Sequence, residues 1–540
     1  MNNIKISNVL NSLPLIFEKN IGQHDEKIQF ALNKKECTTF FNDNEIILSF
    51  RSNEKIQELK ELENSLILNE EDKKYSKYGI NILRVSFENG NKSPQIIGKN
   101  EFNCRLNYFK GENSLNWKCS IPLYEKLLYK EIYKGIDILY YENEGTIKWE
   151  FQVSSKKSLD KILLNFQGAN NIYLDEEGNI NINIKENILK ILNPRVTQED
   201  GSCEVTGNFE INEEGKVKFC IQNYENEKNL KITLPIVFEK FNSTFVVDRG
   251  NSIAVDENKC IYITGEIGVQ KYPNKKPHKN ILEAKDYSAF LVKIDSSKKG
   301  QSALKYAAYI GGEKNDEGVG IAVDDEENAY IVGSTNSEYE FPITEKSYAS
   351  NYPGGNSTGF LIKIDTSKVG LNSFIYGTYL GGNLYDYAYS VAIDKNKNVY
   401  VCGLTNSSLG FPITENGYKK FNCESVDVGF LLKLDISKKG KEALLYGTYF
   451  GGNDSTNFSA LAIDQNNYVY ITGITQSSDF PVTENSYKTK VTGGLSSAFI
   501  TKFDLEKDGE EGVLYSSLLC GNGEEAGYGI AVDLEENVYI

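Results

Sequence analysis

A series of polar side chains, most of them acidic, recurs at near-constant intervals in the second half of the chain. Asp248, Asp316, Asp386, Thr456 and Glu525 each stand eight residues before another recurring aspartate. If the segments that carry them form a ring, these side chains converge at one mouth of a central channel. Carboxylates around a concavity suit Ca²⁺, which prefers oxygen ligands. One interpretation is therefore a calcium site made by the four acidic members, interrupted at Thr456. The other is that each carboxylate caps its own loop.

The second recurring series of aspartates favours structure over chemistry. Each member opens a turn rich in Asp, Asn, Lys and Glu, and in three copies an asparagine follows four residues later (Asp256, Asp324, Asp394, Asp464 and Asp533, with Asn328, Asn398 and Asn537). The spacing lacks the terminal glutamate of a calcium-binding EF-hand loop. We interpret these aspartates as hairpin-turn residues.

No arrangement typical of nucleophilic or metal-dependent catalysis is present. The chain has no G-x-S-x-G, Walker or H-E-x-x-H motif, and its only histidines are His24 and His278. Nine single cysteines without a C-x-x-C pair indicate reduced, mostly buried thiols. A glycosidase remains open because carboxylates and tyrosines are abundant. Its sialidase form is excluded, since Arg249 is the one arginine in the repeated half.

These series belong to a repeat of about 70 residues. The turn aspartates lie 68, 70, 70 and 69 residues apart, and two further phrases, such as "GFLIKID" and "FIYGTYLGG", keep the same step. Each unit predicts four short antiparallel strands bounded by turn residues, with no helical periodicity. Four strands per unit, repeated in this way, is typical of a β-propeller.

A Phe-Pro-(Ile/Val)-Thr loop recurs between the second and third predicted strands. Its prolines enforce an extended chain, and the preceding aromatic rings are predicted to pack between blades (Phe341-Pro342, Phe411-Pro412 and Phe480-Pro481). In the first unit, Tyr272-Pro273 stands in the equivalent place. The tyrosines of "NLYDYAY", Tyr385, Tyr387 and Tyr389, are the candidate partner-binding residues, because tyrosine suits contact surfaces.

The predicted fold class is all-β, in two parts. Residues 1–241 form a β-rich N-terminal domain with a charged insertion at about 52–78, and residues 242–540 form the propeller repeats. The N-terminal strands follow from β-branched and aromatic runs such as "INILRVSF" and "IKWEFQV". Trp117 and Trp149 are expected to pack in a core. The repeats make four complete blades and the start of a fifth, so we interpret the chain as a fragment of a longer protein.

The repeats resemble a known family. "GGNLYDYAYSVAIDKNKNVYVCGLTNSSLGFPIT" is similar to the SBBP (seven-bladed β-propeller) repeat of bacterial proteins. Phrases in the first 240 residues, such as "PLIFEKNIGQHDEKIQF", resemble the domain of unknown function that precedes such repeats. The resemblance implies the architecture and carries no catalytic motif. It also implies an exported or surface-associated protein.

Charge and hydropathy limit the classes of partner that the chain can bind. A net charge of −16 argues against nucleic-acid binding, and no apolar run is long enough for a membrane helix. With no signal peptide visible, the sequence by itself indicates a cytoplasmic protein, against the family resemblance. Our prediction is a non-catalytic binding or scaffold protein with a protein or glycan partner. The candidate Ca²⁺ ion is the one cofactor that the sequence suggests. The alternative functions are a carbohydrate-active hydrolase or lyase and a calcium-stabilised surface adhesion module.

Overall fold

The structure is a computed structural model, and it describes most of the chain. The described residues are 16–34, 37–43, 45–51, 80–111, 113–143, 146–154, 159–185, 187–198, 204–205, 207–222, 224–225, 227–240, 249–268, 287–422, 426–491 and 494–540. The predicted charged insertion at about 52–78, Asp248 and Tyr272-Pro273 lie outside these residues.

Within its described residues, the N-terminal part contains eighteen strands. They are β1 (Phe17–Lys19), β2 (Phe30–Asn33), β3 (Thr38–Phe41), β4 (Glu45–Arg51), β5 (Ile80–Phe87), β6 (Gln95–Lys110), β7 (Lys118–Tyr133), β8 (Ile136–Asn143), β9 (Thr146–Val153), β10 (Leu163–Gln167), β11 (Asn171–Leu174), β12 (Ile180–Ile184), β13 (Asn187–Ile191), β14 (Arg195–Gln198), β15 (Glu204–Val205), β16 (Gly207–Ile211), β17 (Val217–Ile221) and β18 (Leu230–Lys240). Alternating apolar residues explain their half-buried faces, as in β9, where every second side chain is buried. The predicted strands are confirmed.

Antiparallel pairing joins these strands into one sheet. One path runs from β10 through β5, β4, β3, β2 and β1 to β7. From β7 it continues through β8 and β9 to β18, which pairs with both β13 and β14. The enclosed core is large and aromatic, and Trp149 lies in it with 3% of its surface exposed.

The repeated half forms four blades of four antiparallel strands each, in chain order. They are β19 (Arg249–Val255), β20 (Cys260–Gly268), β21 (Tyr287–Asp295) and β22 (Leu304–Gly311); β23 (Asp316–Val323), β24 (Asn328–Thr335), β25 (Thr358–Asp365) and β26 (Phe374–Leu380); β27 (Asp386–Ile393), β28 (Val399–Thr405), β29 (Val428–Leu434) and β30 (Leu444–Phe450); and β31 (Thr456–Ile463), β32 (Val469–Thr475), β33 (Ser497–Phe503) and β34 (Val513–Leu519). A hairpin of β35 (Ala531–Val532) and β36 (Val538–Tyr539) follows. The predicted propeller architecture is confirmed.

Short 3₁₀ turns are the helical elements that the described part of the chain contains. They span Ser114–Asn116, Leu159–Lys161, Gly300–Ser302, Gly370–Ser373, Gly440–Ala443 and Gly509–Gly512. The last four recur between the third and fourth strands of successive blades. The fold is therefore all-β, as the composition of the repeats predicts.

The aromatic residue before each recurring proline packs between strands of its blade. Phe411 is buried, with its ring 5.0 Å from Phe430 and 5.4 Å from Tyr449. Phe480 packs in the same way at 4.7 Å from Phe499. Each of these rings therefore packs mainly within its own blade. The predicted packing between blades is seen at Phe480, whose ring also lies 5.6 Å from Phe450 of the third blade.

The two parts share one sheet, because β22 of the first blade pairs in parallel with β6. The register runs from Ala307 opposite Leu106 to Gly311 opposite Lys110. Next to this seam, Trp117 packs against Phe374 of the second blade with ring centroids 4.6 Å apart, and its indole N–H donates to the Gly111 carbonyl at 2.6 Å. The first and second blades are thus fixed to the N-terminal part through backbone and aromatic contacts.

Candidate functional site

The first strands of successive blades lie side by side at the centre of the repeats. β19 contacts β23, β23 contacts β27, and β27 contacts β31. Asn251 of the first blade donates to the Gly318 carbonyl of the second at 3.0 Å, and Ser390 of the third accepts from the Leu461 N–H of the fourth at 3.2 Å. These four strands form the innermost layer, where side chains from different blades meet.

The predicted calcium-binding carboxylates of the second and third blades stand at the first residue of these strands. Asp316 is completely buried and accepts hydrogen bonds from Thr335 Oγ1 at 2.5 Å and from the Gly312 N–H at 2.8 Å. Asp386 is bound identically, by Thr405 Oγ1 at 2.5 Å and the Gly382 N–H at 2.8 Å. Each carboxylate therefore ties the entrance of its strand to its own blade.

Burial sets the protonation of these two carboxyl groups. It raises the pKa of Asp316 to about 7 and that of Asp386 to about 6, against the opposing effect of the hydrogen bonds. In the fourth blade, the neutral Thr456 bonds to Thr475 at 2.9 Å in the same place. A charge is therefore not required at this position for the blade to form.

Glu525 is the other acidic member of the series that the structure describes, and it makes its contact within its own loop. Its carboxylate accepts from the N–H of Gly523 at 3.1 Å. Among the residues that the structure describes, no group of three or more Asp, Glu, His or Cys side chains is arranged to hold a metal ion. The calcium site of Asp248, Asp316, Asp386 and Glu525 stays a prediction, and the local contacts of Asp316 and Asp386 favour the capping interpretation.

The second aspartate series forms a repeated turn motif. Asp324 accepts from the Asn328 N–H at 2.9 Å and from the Tyr330 hydroxyl at 3.1 Å. The same tyrosine contact joins the aspartate and the residue six positions later in every copy (Asp256–Tyr262, Asp394–Tyr400, Asp464–Tyr470 and Asp533–Tyr539). The predicted turn role is confirmed, with a tyrosine partner that the turn pattern alone did not indicate.

Partly exposed positions of the innermost strands differ from blade to blade. In each blade, one residue directly follows the member of the first polar series, and a second lies two positions further on. In successive blades the first is Arg249, Glu317, Tyr387 and Asn457. The second is Asn251, Val319, Tyr389 and Ser459. We call these eight residues the inner face. Since the fold repeats and they do not, their identities are not dictated by the packing of a blade.

A parallel tyrosine pair is the most distinctive feature of the inner face. The rings of Tyr387 and Tyr389 are 6.2 Å apart between centroids and inclined by only 4°. Both side chains are half-buried. Tyr385, the third candidate, lies just before the strand, is 40% exposed, and its hydroxyl accepts from Asn356 Nδ2 at 2.9 Å. The structure thus brings two of the three predicted tyrosines together and leaves the third at the rim.

Carboxylates flank this pair. Burial, with the charges of Glu317 and Asp427, raises the pKa of Tyr389 to about 12. Burial also raises the pKa of Asp427, and burial followed by the nearby charge of Glu266 raises that of Glu317. Within the described residues, Glu317 is bonded to Asn251 Nδ2 at 2.9 Å, whereas Glu266 pairs with Arg249 at 3.2 Å. The surroundings of the tyrosines are therefore acidic and partly dehydrated.

Sequence reasoning selected the recurring acidic positions and missed Glu317, Glu266 and Asp427. The signal that identifies Glu317 is variation within a repeat, because it occupies the position next to Asp316 that the other blades fill with different residues. Glu266 and Asp427 carry no comparable signal, since their proximity to the tyrosines depends on how the blades are placed.

Family models match both parts of the chain. A domain of unknown function (DUF7948) matches residues 17–233, and a beta-propeller repeat (SBBP) matches residues 305–342 and 375–410. The chain has a DUF7948 domain followed by SBBP repeats. Glu317 lies in the first matched SBBP segment, and the tyrosine pair lies in the second. Neither family description names an enzymatic activity.

Solved structures are similar only at low scores. A protein of unknown function from Bacteroides caccae is 7% identical, with 69% of this chain and 90% of that chain covered and a TM-score of 0.23. An extracellular domain assigned to a hybrid two-component system of B. thetaiotaomicron is 11% identical, with 96% and 73% covered and a TM-score of 0.22. No curated protein matches the DUF7948–SBBP chain. Among the described residues, no helix is long and apolar enough to cross a membrane.

Proposed function

We propose that this protein is a non-catalytic binding module whose inner face takes an exposed segment of a partner protein. The observation that carries the proposal is the parallel pair of Tyr387 and Tyr389 at positions that vary between otherwise repeated blades. Tyrosine offers a large, rigid contact area at a low cost in conformational entropy. A repeated fold that keeps its packing residues and changes its exposed ones is suited to recognition.

The charge of the site favours a basic partner segment. Glu317 and Asp427 are partly buried carboxylates whose charges raise the pKa values of Tyr387 and Tyr389 further after burial, and the whole chain carries a net charge of −16. A lysine or arginine side chain gains both from the carboxylates and from the electron-rich faces of the rings. Acidic surfaces also accelerate encounter with basic partners.

The test is a selection from a displayed library of random peptides, carried out on the full chain. We expect the wild type to enrich a peptide family that contains lysine or arginine. Tyr387→Ala combined with Tyr389→Ala should weaken the selected peptides at least tenfold, which corresponds to about 1.4 kcal/mol. Tyr487→Ala is the matched control, because Tyr487 is 80% exposed in a loop of the fourth blade, away from the inner strands.

Three outcomes would contradict the proposal. The selection could enrich no peptide, the double variant could bind as well as the wild type, or Tyr487→Ala could lose binding to the same degree. Each would mean that the inner face is not the peptide-binding surface. A screen of immobilised glycans with the same three proteins distinguishes a protein partner from a carbohydrate partner at this face.

A carbohydrate-active hydrolase is the second candidate function, and one observation favours it. The pKa of Glu317 is raised, first by burial and then by the charge of the neighbouring Glu266. Glycoside hydrolysis uses a pair of carboxyl groups, of which the general acid has a raised pKa, and Glu317 fits the acid of such a pair. Release of reducing sugar from a panel of polysaccharides, lost in Glu317→Gln and kept in Glu326→Gln, would support this function. No release by the wild type would exclude it for the polysaccharides tested.

A further inference from the structure

A cleft of about 580 Å³ opens on the N-terminal domain, away from the SBBP repeats. One wall is the loop between β1 and β2, the other is the start of β6, and the floor contains Ile28, Phe30 and Tyr124. The volume is in the range that small-ligand sites occupy. The repeats and the inner face contribute no residue to its lining.

The floor of the cleft has a ring held flat on the backbone. A Cβ atom placed on Gly98 would lie 2.4 Å from Cγ and Cδ1 of Tyr124 and 2.6 Å from Cδ2. Nearly equal distances to three ring atoms mean that the ring lies across the Gly98 Cα. The Phe30 ring meets it at 77°, with centroids 5.8 Å apart, and fixes its orientation. Tyr124 is half-buried and lines the cleft.

The loop wall is organised around Asn20. Its Nδ2 donates to the carbonyls of Asp25 and Ile28 at 2.8 and 2.7 Å, and its Oδ1 accepts from the N–H groups of Gly22 and His24 at 2.9 and 3.1 Å. A single side chain thus replaces the regular hydrogen bonds that this loop lacks. The wall is preformed and needs little ordering when a ligand enters.

A buried relay holds the histidine of this wall. His24 Nε2 lies 2.7 Å from Oε1 of Glu18, and Oε2 of Glu18 accepts from the Tyr108 hydroxyl at 2.7 Å. Glu18 is 2% exposed, so both contacts are shielded from solvent. The imidazole ring therefore has one orientation with respect to the cleft, as expected of a preorganised site.

We propose that this cleft binds a glycan, with one pyranose ring seated on Tyr124. The apolar C–H face of a sugar packs on an aromatic ring, while its hydroxyl groups need donors and acceptors around the edge. The cleft provides both, because Lys19, Glu26, Gln29 and Gln95 line its rim. The mixed charge of Lys19 and Glu26 selects neither an anion nor a cation, and a fully apolar ligand would leave these groups without hydrogen bonds. The proposal is independent of the function of the inner face.

A glycan array probed with the full chain tests this assignment, followed by saturation-transfer NMR with the oligosaccharide that binds. We expect Tyr124→Ala to reduce binding at least tenfold. Gln95→Ala, at an exposed rim position where folding is not at risk, should reduce it about threefold. Tyr173→Ala is the matched control, because Tyr173 is 39% exposed on β11 outside the cleft lining and should bind as the wild type does.

Three results would overturn the proposal, and the first two concern the cleft itself. Either no glycan on the array binds the wild type, or a glycan binds and both Tyr124→Ala and Gln95→Ala leave its affinity unchanged. The double variant of Tyr387 and Tyr389 separates the two sites. We expect this double variant to bind the glycan as the wild type does. If it loses glycan binding, the glycan binds at the inner face, and the cleft assignment is overturned.

Discussion

The hydroxyl group of Tyr400 donates to Oδ2 of Asp394 at 3.1 Å, across the turn that joins the first two strands of the third blade. Lys433, opposite Tyr400 in the sheet, places its ammonium group 5.6 Å from the ring centroid and 2.8 Å from Glu506 of the next blade. Burial and the charge of Asp394 raise the pKa of Tyr400, which keeps the hydroxyl protonated as a donor. Tyr400 thus links the turn at Asp394 to the next strand of its blade, and Lys433 extends the link to Glu506 of the fourth blade.

Tyr400→Phe tests this pair. The substitution removes a hydrogen bond to a charged group and leaves the ring in place, so we expect a loss of about 1.5 kcal/mol or more in the free energy of unfolding. Tyr539→Phe is the control, because Tyr539 makes the same 3.0 Å bond to Asp533 while 59% exposed. It should cost less than about 0.5 kcal/mol. Equal losses in denaturant titrations of the two variants would contradict the role of burial.

The buried Asp316 should make stability fall as the pH rises. Its pKa increases from 3.8 to about 7 on folding, so between these values the folded protein holds a proton that the unfolded chain has released. The stability that this proton supplies is complete below about pH 4 and is lost as the pH passes about 7. One such group changes the free energy of unfolding by up to about 1.4 kcal/mol per pH unit.

Asp316→Thr copies the fourth blade and should remove this dependence. We expect the difference in melting temperature between variant and wild type to move in favour of the variant from about pH 5 to about pH 8. The reciprocal Thr456→Asp should acquire the opposite trend. A constant difference across the pH range in both variants would show that the Asp316 carboxyl is not protonated on folding.

Calcium is expected to have little effect on the blades. The oxygens of Asp316 and Asp386 already accept hydrogen bonds from their own blade, so a cation would have to displace those donors. We predict no change in melting temperature between millimolar Ca²⁺ and a chelator. A rise with Ca²⁺ that Asp386→Asn abolishes would instead establish the predicted calcium site.

Gly403 marks a position where the chain has no room for a side chain. A Cβ atom there would lie 1.9 Å from the Tyr387 carbonyl oxygen, beside the bulge between β27 and β28. We expect Gly403→Ala to cost about 3 kcal/mol or more in the free energy of unfolding. Gly440→Ala should cost only about 1 kcal/mol, since Gly440 has a φ of 59° and an added Cβ would meet no atom within 4 Å. Similar costs in urea titrations would refute the steric argument.

Trp117 should report on the seam between the two parts. Its ring packs against Phe109 at 5.2 Å and Phe374 at 4.6 Å, and Trp117→Ala should cost about 3–5 kcal/mol. In Trp149→Phe, the remaining tryptophan fluorescence comes from Trp117 alone. We expect this emission to be blue-shifted in the native protein and to move to the red when the contacts of Trp117 with Phe109 and Phe374 open. Native emission typical of a solvated tryptophan would contradict this packing, and Trp117→Phe supplies the reciprocal reporter of the N-terminal core.

The blades can be predicted from the sequence because the residues that form their turns, strands and buried aromatic contacts act locally and recur in each unit. Asp324, Tyr330 and Phe341 recur with a fixed step, and each acts within one blade, so period and residue type suffice to predict strands, turns and these contacts. The buried tryptophans follow from size and hydrophobicity alone. Recognition of the family extends the same reasoning to the N-terminal domain.

The candidate sites depend on contacts between distant segments, which no short pattern contains. Gly98 lies in β6 and Tyr124 in β7, where it stands opposite Glu101, so the contact of its ring with Gly98 crosses the strand pair diagonally. The charge of Asp427 acts on Tyr389 because Asp427 directly precedes β29, which lies in the same blade as β27. The acidic series illustrates the opposite error: Asp316 and Asp386 repeat because the blade needs them, which makes repetition a poor guide to binding.

The parallel pairing of β6 with β22 has a practical consequence for dividing the protein. Cutting the chain between the DUF7948 domain and the repeats would strip five residue pairs from the outer edge of the first blade, from Ala307 to Gly311. A bare strand edge next to the uncovered ring of Phe374 is a template for aggregation. Repeats produced without β6 and β7 would therefore be expected to precipitate, and a soluble minimal fragment has to retain both halves of the shared sheet.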